Sequence, residues 1–359
     1  MAGMTGSFFG HYYRVATFGE SHGPAVGVMV EGLPAGIEID TREVAAELAR
    51  RRPGTSEFTS ARSEPDEPEV LSGLKGGRTT GAPIAVVVRN TDARPRDYEP
   101  IADLFRPGHA DITYRARYDL GPVPGGGRAS GRETVARVAA GALARQALRQ
   151  MWGVEIMGGV VEIAGIRAAE RDWASARTHP LACTDPGVAE QMARAVRAAM
   201  AEGDSVGGIV EVVAMGVPAG WGEPVFGKLD AALAAAVVSI GGVKGVEFGA
   251  GFGAARMRGS EHNDPITPTG MATNNAGGIL GGISTGEPIV LRLAVKPTPS
   301  IRRPQPTIDT YGQPATITVP GGHDPCICPR IVPVAEAMVA IVLMDAALAR
   351  RAGEPLRRE

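Results

Sequence analysis

The sequence predicts an α+β fold, and two patterns carry that expectation. Val- and Ile-rich runs at 25–31, 84–90, 154–163, 206–214 and 289–296 read as strands, and long stretches of helical periodicity lie between them. The second pattern is an internal repeat, in which the segment beginning at Glu20 aligns with the one beginning at Asp204. Glu20, Ser21 and Gly23 meet Asp204, Ser205 and Gly207, and Gly32, Pro34, Ala35 and Gly36 meet Gly216, Pro218, Ala219 and Gly220. Both copies run from a polar turn through a Val-rich strand and a Gly-x-Pro-Ala-Gly turn into a helical pattern. That reads as duplication of one α+β unit, with repeats of about 10–180 and 195–350. Chance likeness of two Gly-rich strand and turn units gives the same pattern. His22 faces Val206 in the alignment, so only the first copy carries a titratable group there.

Taken in order, the helices have recognisable starts and stops. Asp40 with Glu43, and Ser130 with Glu133, have capping-box spacing and predict helix starts before Val44 and Val135. The first helix is expected to end at Arg50-Arg51-Arg52-Pro53-Gly54, where cations meet the negative end of the helix dipole. The apolar helical pattern at 332–347 is interrupted by Glu336 and Asp345 and falls short of the roughly 20 apolar residues of a membrane span, so it reads as a buried helix. No low-complexity tract or linker divides the chain, and a single domain over 1–359 is expected.

Composition sets outer limits. A chain of 359 residues, 44% apolar, can bury one large core or two moderate ones. A formal net charge of -2 gives no reason to expect nucleic acid or an anionic membrane as partner. Lys75, Lys228, Lys244 and Lys296 are the only lysines among 37 basic residues, so Arg, whose planar fork suits carboxylate and phosphate, dominates. Biased codon usage produces the same excess. The first 20 residues lack a secretory signal, and Cys183, Cys326 and Cys328 are too few and too unevenly spaced for a disulfide framework. A cytoplasmic protein is the expectation.

Four segments carry chemistry. In Gly19-Glu20-Ser21-His22-Gly23, a turn-mounted His22 can give or take a proton, or simply bond a nearby carbonyl. Of the three adjacent Arg at 50–52, at most two can serve one ligand; Arg106-Pro107-Gly108-His109-Ala110-Asp111 places an Arg and a His on one turn, suited to binding and protonating an anion. Gly125-Gly126-Gly127-Arg128-Ala129-Ser130-Gly131-Arg132 precedes a strongly periodic helix, where close backbone approach and free N–H groups suit phosphate. Ser130 also has the plain role of N-cap. The last third holds 274–284, then Lys296-Pro297-Thr298-Pro299-Ser300, a candidate phosphate clamp, then His323-Asp324-Pro325-Cys326. Asp324 can orient a ring nitrogen or move a proton, although Asp before Pro is also a common turn residue. His323, Cys326 and Cys328 lack an evident fourth ligand, and no metal is expected.

In that order, GESHG, RRRPGTS, RPGHAD, GGGRASGRET, NNAGGILGGIS, KPTPS and HDPC resemble the motifs of chorismate synthases, and the likeness runs from about residue 19 to residue 347. The resemblance implies a layered sandwich with helices packed between two mainly antiparallel sheets, assembled as a homotetramer. It implies a lyase of the shikimate pathway and aromatic amino acid biosynthesis. The reaction is anti 1,4-elimination of phosphate from 5-enolpyruvylshikimate 3-phosphate, which needs reduced FMN without net oxidation. His22 would then assist the leaving phosphate, His109 would protonate the reduced flavin or its partners, and Asp324 would exchange a proton near flavin N5. Arg128, Ala129, Ser130, Gly241, Gly242, Gly281, Lys296, Pro297, Thr298, Pro299 and Ser300 match flavin-holding segments, Arg51 a flavin or NADP contact, and Ser21, Arg106 and Arg132 would face the anionic substrate. NADPH enters only if this chain reduces its own flavin.

Four positions depart from the family pattern. Gly322 stands where an Arg usually precedes His-Asp-Pro, leaving a flavin contact missing or supplied by a residue such as Arg330. Glu57 replaces a basic residue after the Pro-Gly-Thr-Ser turn, which puts the NADP contact in doubt, and Gly241-Gly242 replace an Asn-Ala pair. A flavin oxidoreductase would consume NADPH steadily without substrate. A non-catalytic flavin- or anion-binding protein would not need three proton carriers.

Overall fold

Apolar alternation along the strands builds two antiparallel sheets whose inner faces enclose a helical layer in the computed structural model, which describes residues 6–60, 64–92, 99–319 and 323–353. The first sheet has the spatial order Phe8–Phe9, Arg14–Gly19, Ala25–Glu31, Ile84–Arg89, Pro68–Val70. The second runs Val243–Phe248, Ile289–Val295, Gly208–Met215, Glu155–Ile163, Ile166–Arg167. All their pairings are antiparallel. Val26, Val28 and Val30 face inward while Met29 is exposed, as period-2 patterning requires. The strands at Ala25–Glu31 and Gly208–Met215, which belong to the two aligned segments, each take the central place in their sheet.

Helices α1 (Thr41–Arg51), α2 (Asp111–Tyr118), α3 (Thr134–Trp152), α4 (Trp173–Thr178), α5 (Pro186–Ala201), α6 (Leu229–Val238), α7 (Gly259–His262) and α8 (Cys328–Ala352) connect the strands. Of these, α1 and α3 pack on the first sheet, α6 and α8 on the second, and α3 lies directly against α8. The α+β sandwich anticipated above is therefore present. One buried apolar cluster runs through all layers, from Val28 and Val86 through Leu143 and Leu343 to Val210 and Leu291. By length and composition α8 resembles a membrane span, yet 83% of its most apolar window is buried inside the protein.

Two charges on α8 explain its interrupted pattern. Asp345 Oδ1 accepts the backbone N–H groups of His11, Tyr12 and Tyr13 at 2.9, 2.6 and 2.8 Å, tying the start of the first sheet to the end of α8. Buried Glu336 accepts from Arg50 Nη2 at 3.1 Å and Arg145 Nη1 at 2.9 Å. Glu47 completes this network, accepting from Arg50 Nη1 at 2.6 Å and Arg177 Nη2 at 2.7 Å. Burial opposes ionisation of Glu47, yet Arg145, Arg50 and Arg177 hold its carboxyl down at about 2.

The capping boxes form only in part. Asp40 caps α1, accepting from Arg42 N–H at 2.9 Å, but Asp40's own N–H donates to Gln146 Oε1 at 2.8 Å, and Glu43 instead binds Arg149 at 2.9 Å. Ser130 caps a short 3-10 turn at Gly131–Glu133 that leads into α3, while Glu133 accepts from Thr17 Oγ1 at 3.1 Å and Arg137 Nε at 2.8 Å. In both cases tertiary partners outbid the local reciprocal bond.

A Cβ on Gly141 of α3 would lie 2.3 Å from Ala337 Cβ and 2.4 Å from Ala337 Cα on α8. Gly→Ala in a helix ordinarily stabilises by roughly 0.5–1 kcal/mol. Gly141→Ala is expected to destabilise by about 1–3 kcal/mol through overpacking, read as a lower urea midpoint. Glu47 supplies a second check. Its folded value lies below its unfolded one of 4.5, so its contribution is complete above pH 4.5 and is lost as pH falls toward 2. Glu47→Gln should be less stable than the parent at neutral pH, and the gap should narrow across that acid range.

Candidate active site

The N-termini of α3 and α8 open on one cleft of about 690 Å³, with Glu133, Thr134 and Arg137 on one wall and Ile327, Arg330 and Val334 on another. The positive ends of both helix dipoles bias this region toward anions. Turns from both halves of the chain complete it. Among the described residues, seven cationic side chains line the cleft, Arg51, Arg106, Arg128, Arg132, Arg137, Lys296 and Arg330, against three carboxylates, Asp92, Glu133 and Asp324. In a chain of net charge -2, that imbalance marks an anion site.

His22, His109 and Asp324 all line this cleft, as do Ala129, Ser130, Gly241, Gly242, Thr298, Pro299 and Ser300. The triple glycine separates the two histidines. Gly125 has φ +63, and a Cβ there would fall 2.0 Å from His22 Cε1; a Cβ on Gly126, φ +84, would fall 3.1 Å from His109 Nε2. Only glycine allows this backbone to thread between them. Behind His22, buried Ser21 places Oγ 2.9 Å from Nδ1, so Ser21 supports the histidine and does not itself line the cleft.

Most of the cations are held from behind. Asp111 takes Arg106 Nε at 2.7 Å and Nη2 at 2.8 Å, and its Oδ1 lies 2.8 Å from His109 Nδ1. Burial disfavours the Asp111 charge, but the bonds from His109 and Arg106 hold it well below the usual carboxylate range. Asp66, fully buried and left-handed at φ 52, pairs Arg51 at 3.1 Å with one oxygen and Arg132 with the other. Arg132 also donates to Asn90 Oδ1 at 2.8 Å. Arg128 donates to Thr17 Oγ1 at 2.7 Å, and Asp324 accepts from Ser60 N–H at 2.7 Å and from Arg330. Burial, then the neighbouring Lys244 cation, push the Lys296 ammonium below its ordinary value, and its Nζ donates to Gly108 O at 2.6 Å.

Some expected positions lie elsewhere. Pro297 turns out of the wall and packs near Gly207. Gly281 occupies the exposed turn between Ile279–Leu280 and Ile283–Ser284, beside the start of α6, and does not line the cleft. The preceding asparagines shape that loop: Asn274 Oδ1 accepts from Gly278 N–H at 2.7 Å and its Nδ2 donates to Pro288 O at 2.8 Å. Arg50 faces the core network and Arg52 donates to Pro65 O at 3.4 Å, so Arg51 alone of the triplet reaches the cleft. Glu57 is engaged by Arg197 at 2.9 Å outside it. Gly322 lies outside the described residues. Among the described residues no group of three His, Cys, Asp or Glu side chains is arranged for a metal, and Cys326 and Cys328 are buried.

Sequence reading passed over Asp66, Glu133 and Arg137 as site residues. Asp111 stood within the Arg-Pro-Gly-His-Ala-Asp string, two residues from His109, and that spacing was the available signal.

A two-sheet α+β sandwich whose cleft joins a surplus of cations to proton-carrying side chains defines an enzyme of small anionic substrates. The profile of the family described as chorismate synthase matches residues 13–348. A chorismate synthase of Syntrophobacter fumaroxidans is 53% identical over 342 residues, covering 95% of this chain and 97% of that protein. Those of Nitratidesulfovibrio vulgaris (strain DP4) and Xanthomonas axonopodis pv. citri are 53% and 51% identical, each covering 97% of this chain, with 98% and 95% of the relatives covered. A solved structure titled "Crystal Structure of Chorismate Synthase" superposes with a TM-score of 0.77 at 32% identity, over 96% of this chain and 94% of that one. The chain belongs to the chorismate synthase family, enzymes of the shikimate pathway.

Gly125→Ala should retain the fold but push His22 off its position. A misplacement on the scale of 1 Å costs roughly 100-fold in rate. Steady-state turnover beside a thermal melt checks this, and unchanged turnover would mean that His22 placement is immaterial.

Proposed function

We propose that the cleft catalyses redox-neutral anti 1,4-elimination of phosphate from 5-enolpyruvylshikimate 3-phosphate, giving chorismate, with reduced FMN bound beside the substrate. The observation that carries this reading is the convergence of seven cations with His22, His109 and Asp324 in one cleft. The residues present fit a phosphorylated flavin. Thr298 Oγ1 is buried with no hydrogen-bond partner among the described residues, and a Cβ on Gly241 would meet nothing within 4 Å. Lys296, Thr298 and Ser300 would hold the flavin phosphate, with Gly241, Gly242, Ala129 and Ser130 against its ring and chain. When bound, the reduced flavin supplies reversible electron donation, which leaves the overall reaction redox-neutral.

The chain's own groups do the rest. Arg106 fixes an anionic group of the substrate, Arg51 and Arg132 add positive potential from the wall behind, and His22, backed by Ser21, meets the departing phosphate. His109 and Asp324, both lining the cleft, keep protons in reach of the reacting pair. Buried Arg51 is paired with Asp66, and Glu57 with Arg197, which supports a flavin reduced from outside; NADPH belongs here only if this chain does that step itself. We extend the reading to a single domain over 1–359 built from two repeats, and to a cytoplasmic homotetramer. Large exposed side chains such as Phe226 and Ile266 support assembly.

Anaerobic turnover with chemically reduced FMN tests this, following phosphate release and chorismate absorbance together. Equal amounts of both, with no flavin oxidised, are expected. Absence of product despite flavin binding, or steady NADPH consumption without substrate, would overturn it. His22→Ala, His109→Ala and Asp324→Ala should each lower turnover about 100- to 10,000-fold while leaving FMN binding largely intact.

A further inference from the structure

We propose that Asp111 is the positioning residue of this cleft, a single carboxylate that locks His109 in one tautomer and Arg106 in one orientation at the same time. This rests on the reading of His109 as a proton carrier. Asp111 is the first residue of α2, its side chain is 2% exposed, and it stands behind the cleft wall with both oxygens engaged. Oδ2 accepts from Arg106 Nε at 2.7 Å and Arg106 N–H at 3.3 Å, and Oδ1 accepts from Arg106 Nη2 at 2.8 Å. His109 Nδ1 stands 2.8 Å from the same Oδ1. An ionised carboxylate only accepts hydrogen bonds, so His109 must carry a proton on Nδ1. The Nε2 edge is then left toward the triple-glycine loop, where a Cβ on Gly126 would come within 3.1 Å of it.

The spacing makes the device compact. Arg106 and His109 sit on one Pro-Gly turn, and Gly108 takes the left-handed conformation, φ +70, that lets both side chains fold back onto Asp111. Lys296 Nζ closes the turn from the far side through Gly108 O. Asp111 touches neither substrate nor flavin in this scheme. It acts by leaving His109 one donor arrangement and Arg106 one fork direction. An amide in its place keeps the shape but offers a single acceptor oxygen, so Arg106 and His109 compete for it and the imidazole is free to change tautomer.

The test is direct. Long-range proton–nitrogen correlation spectra of ¹⁵N-labelled protein, with the His109 signals assigned by their loss in His109→Gln, report the tautomer at mildly alkaline pH. The Nδ1-protonated form is expected in the parent, and a shift toward the Nε2-protonated form in Asp111→Asn. In turnover, Asp111→Asn should lower kcat about 100-fold, in the range set by loss of an orienting partner. The same change made in a His109→Ala background should cost about 10-fold less than in the parent background, leaving only the share that runs through Arg106, because residues that act as a unit are not additive. An Nε2-protonated His109 in the parent would overturn the proposal, as would an equal loss in both backgrounds. The spectrum of the parent decides even if Asp111→Asn does not fold. It needs no substrate or flavin, so it is independent of whether the elimination reading holds.

Discussion

The contact of α3 with α8 sets the geometry on which the rest of the chain depends. Gly141 lets the two helix backbones approach at Ala337 more closely than any side chain would permit. Each helix also carries one sheet on its other side, so this crossing fixes how the sheets sit relative to each other. The same crossing aims both helix N-termini at one place. The turn holding Arg128, Ser130 and Arg132 enters α3 there, and the stretch with Asp324 enters α8 there, with Arg330 in its first turn. A cleft built on two rigid helices keeps its groups fixed more closely than one built on loops alone.

Charge compensation follows the same economy. A free Arg at the mouth of a cleft would swing on a flexible stem and lose entropy on binding; an Arg anchored by a carboxylate behind it has lost that freedom during folding. Asp111 behind Arg106, Asp66 behind Arg51 and Arg132, and Asp324 beside Arg330 all follow this plan. The pairing does not cancel the field at the cleft, since the cations line it and Asp111 and Asp66 stand behind them. A second network, buried Glu47 and Glu336 with Arg50, Arg145 and half-exposed Arg177, uses the same chemistry to join α1, α3, α4 and α8.

How much of this could be read from residues alone depended on the range of the interaction. The strand at Ala25–Glu31 was legible to the residue, and Ile84–Arg89, Glu155–Ile163, Gly208–Met215 and Ile289–Val295 to within one or two, because β-branched runs bounded by turns are local signals. The helix start at Thr41 was legible from Asp40, but the fates of Glu43 and Glu133 were not, since Arg149 and Thr17 reach them only after folding. The motif turns could be picked out one by one. Their convergence came from the family resemblance; of the positions it named, Gly281 lies in a turn that does not line the cleft. Asp66 carried no local signal, lying in a Pro-rich acidic stretch whose partners are Arg51 and Arg132.

The two aligned turns show how one local design is put to different uses. In the first, Ser21 Oγ bonds the imidazole of His22 and presents it to the cleft. In the second, Val206 stands where His22 does; Ser205 Oγ donates instead to Thr298 O at 2.7 Å, and Val206 N–H donates to Pro325 O at 2.9 Å. Those bonds hold the Lys296-to-Ser300 loop and the segment carrying Asp324 against the cleft. A histidine at the second turn would add a titratable group beneath a wall that must stay still, whereas valine leaves the backbone bond intact and packs against the core. The first turn thus presents a titratable side chain to the cleft, and the second holds two of the cleft's segments in place.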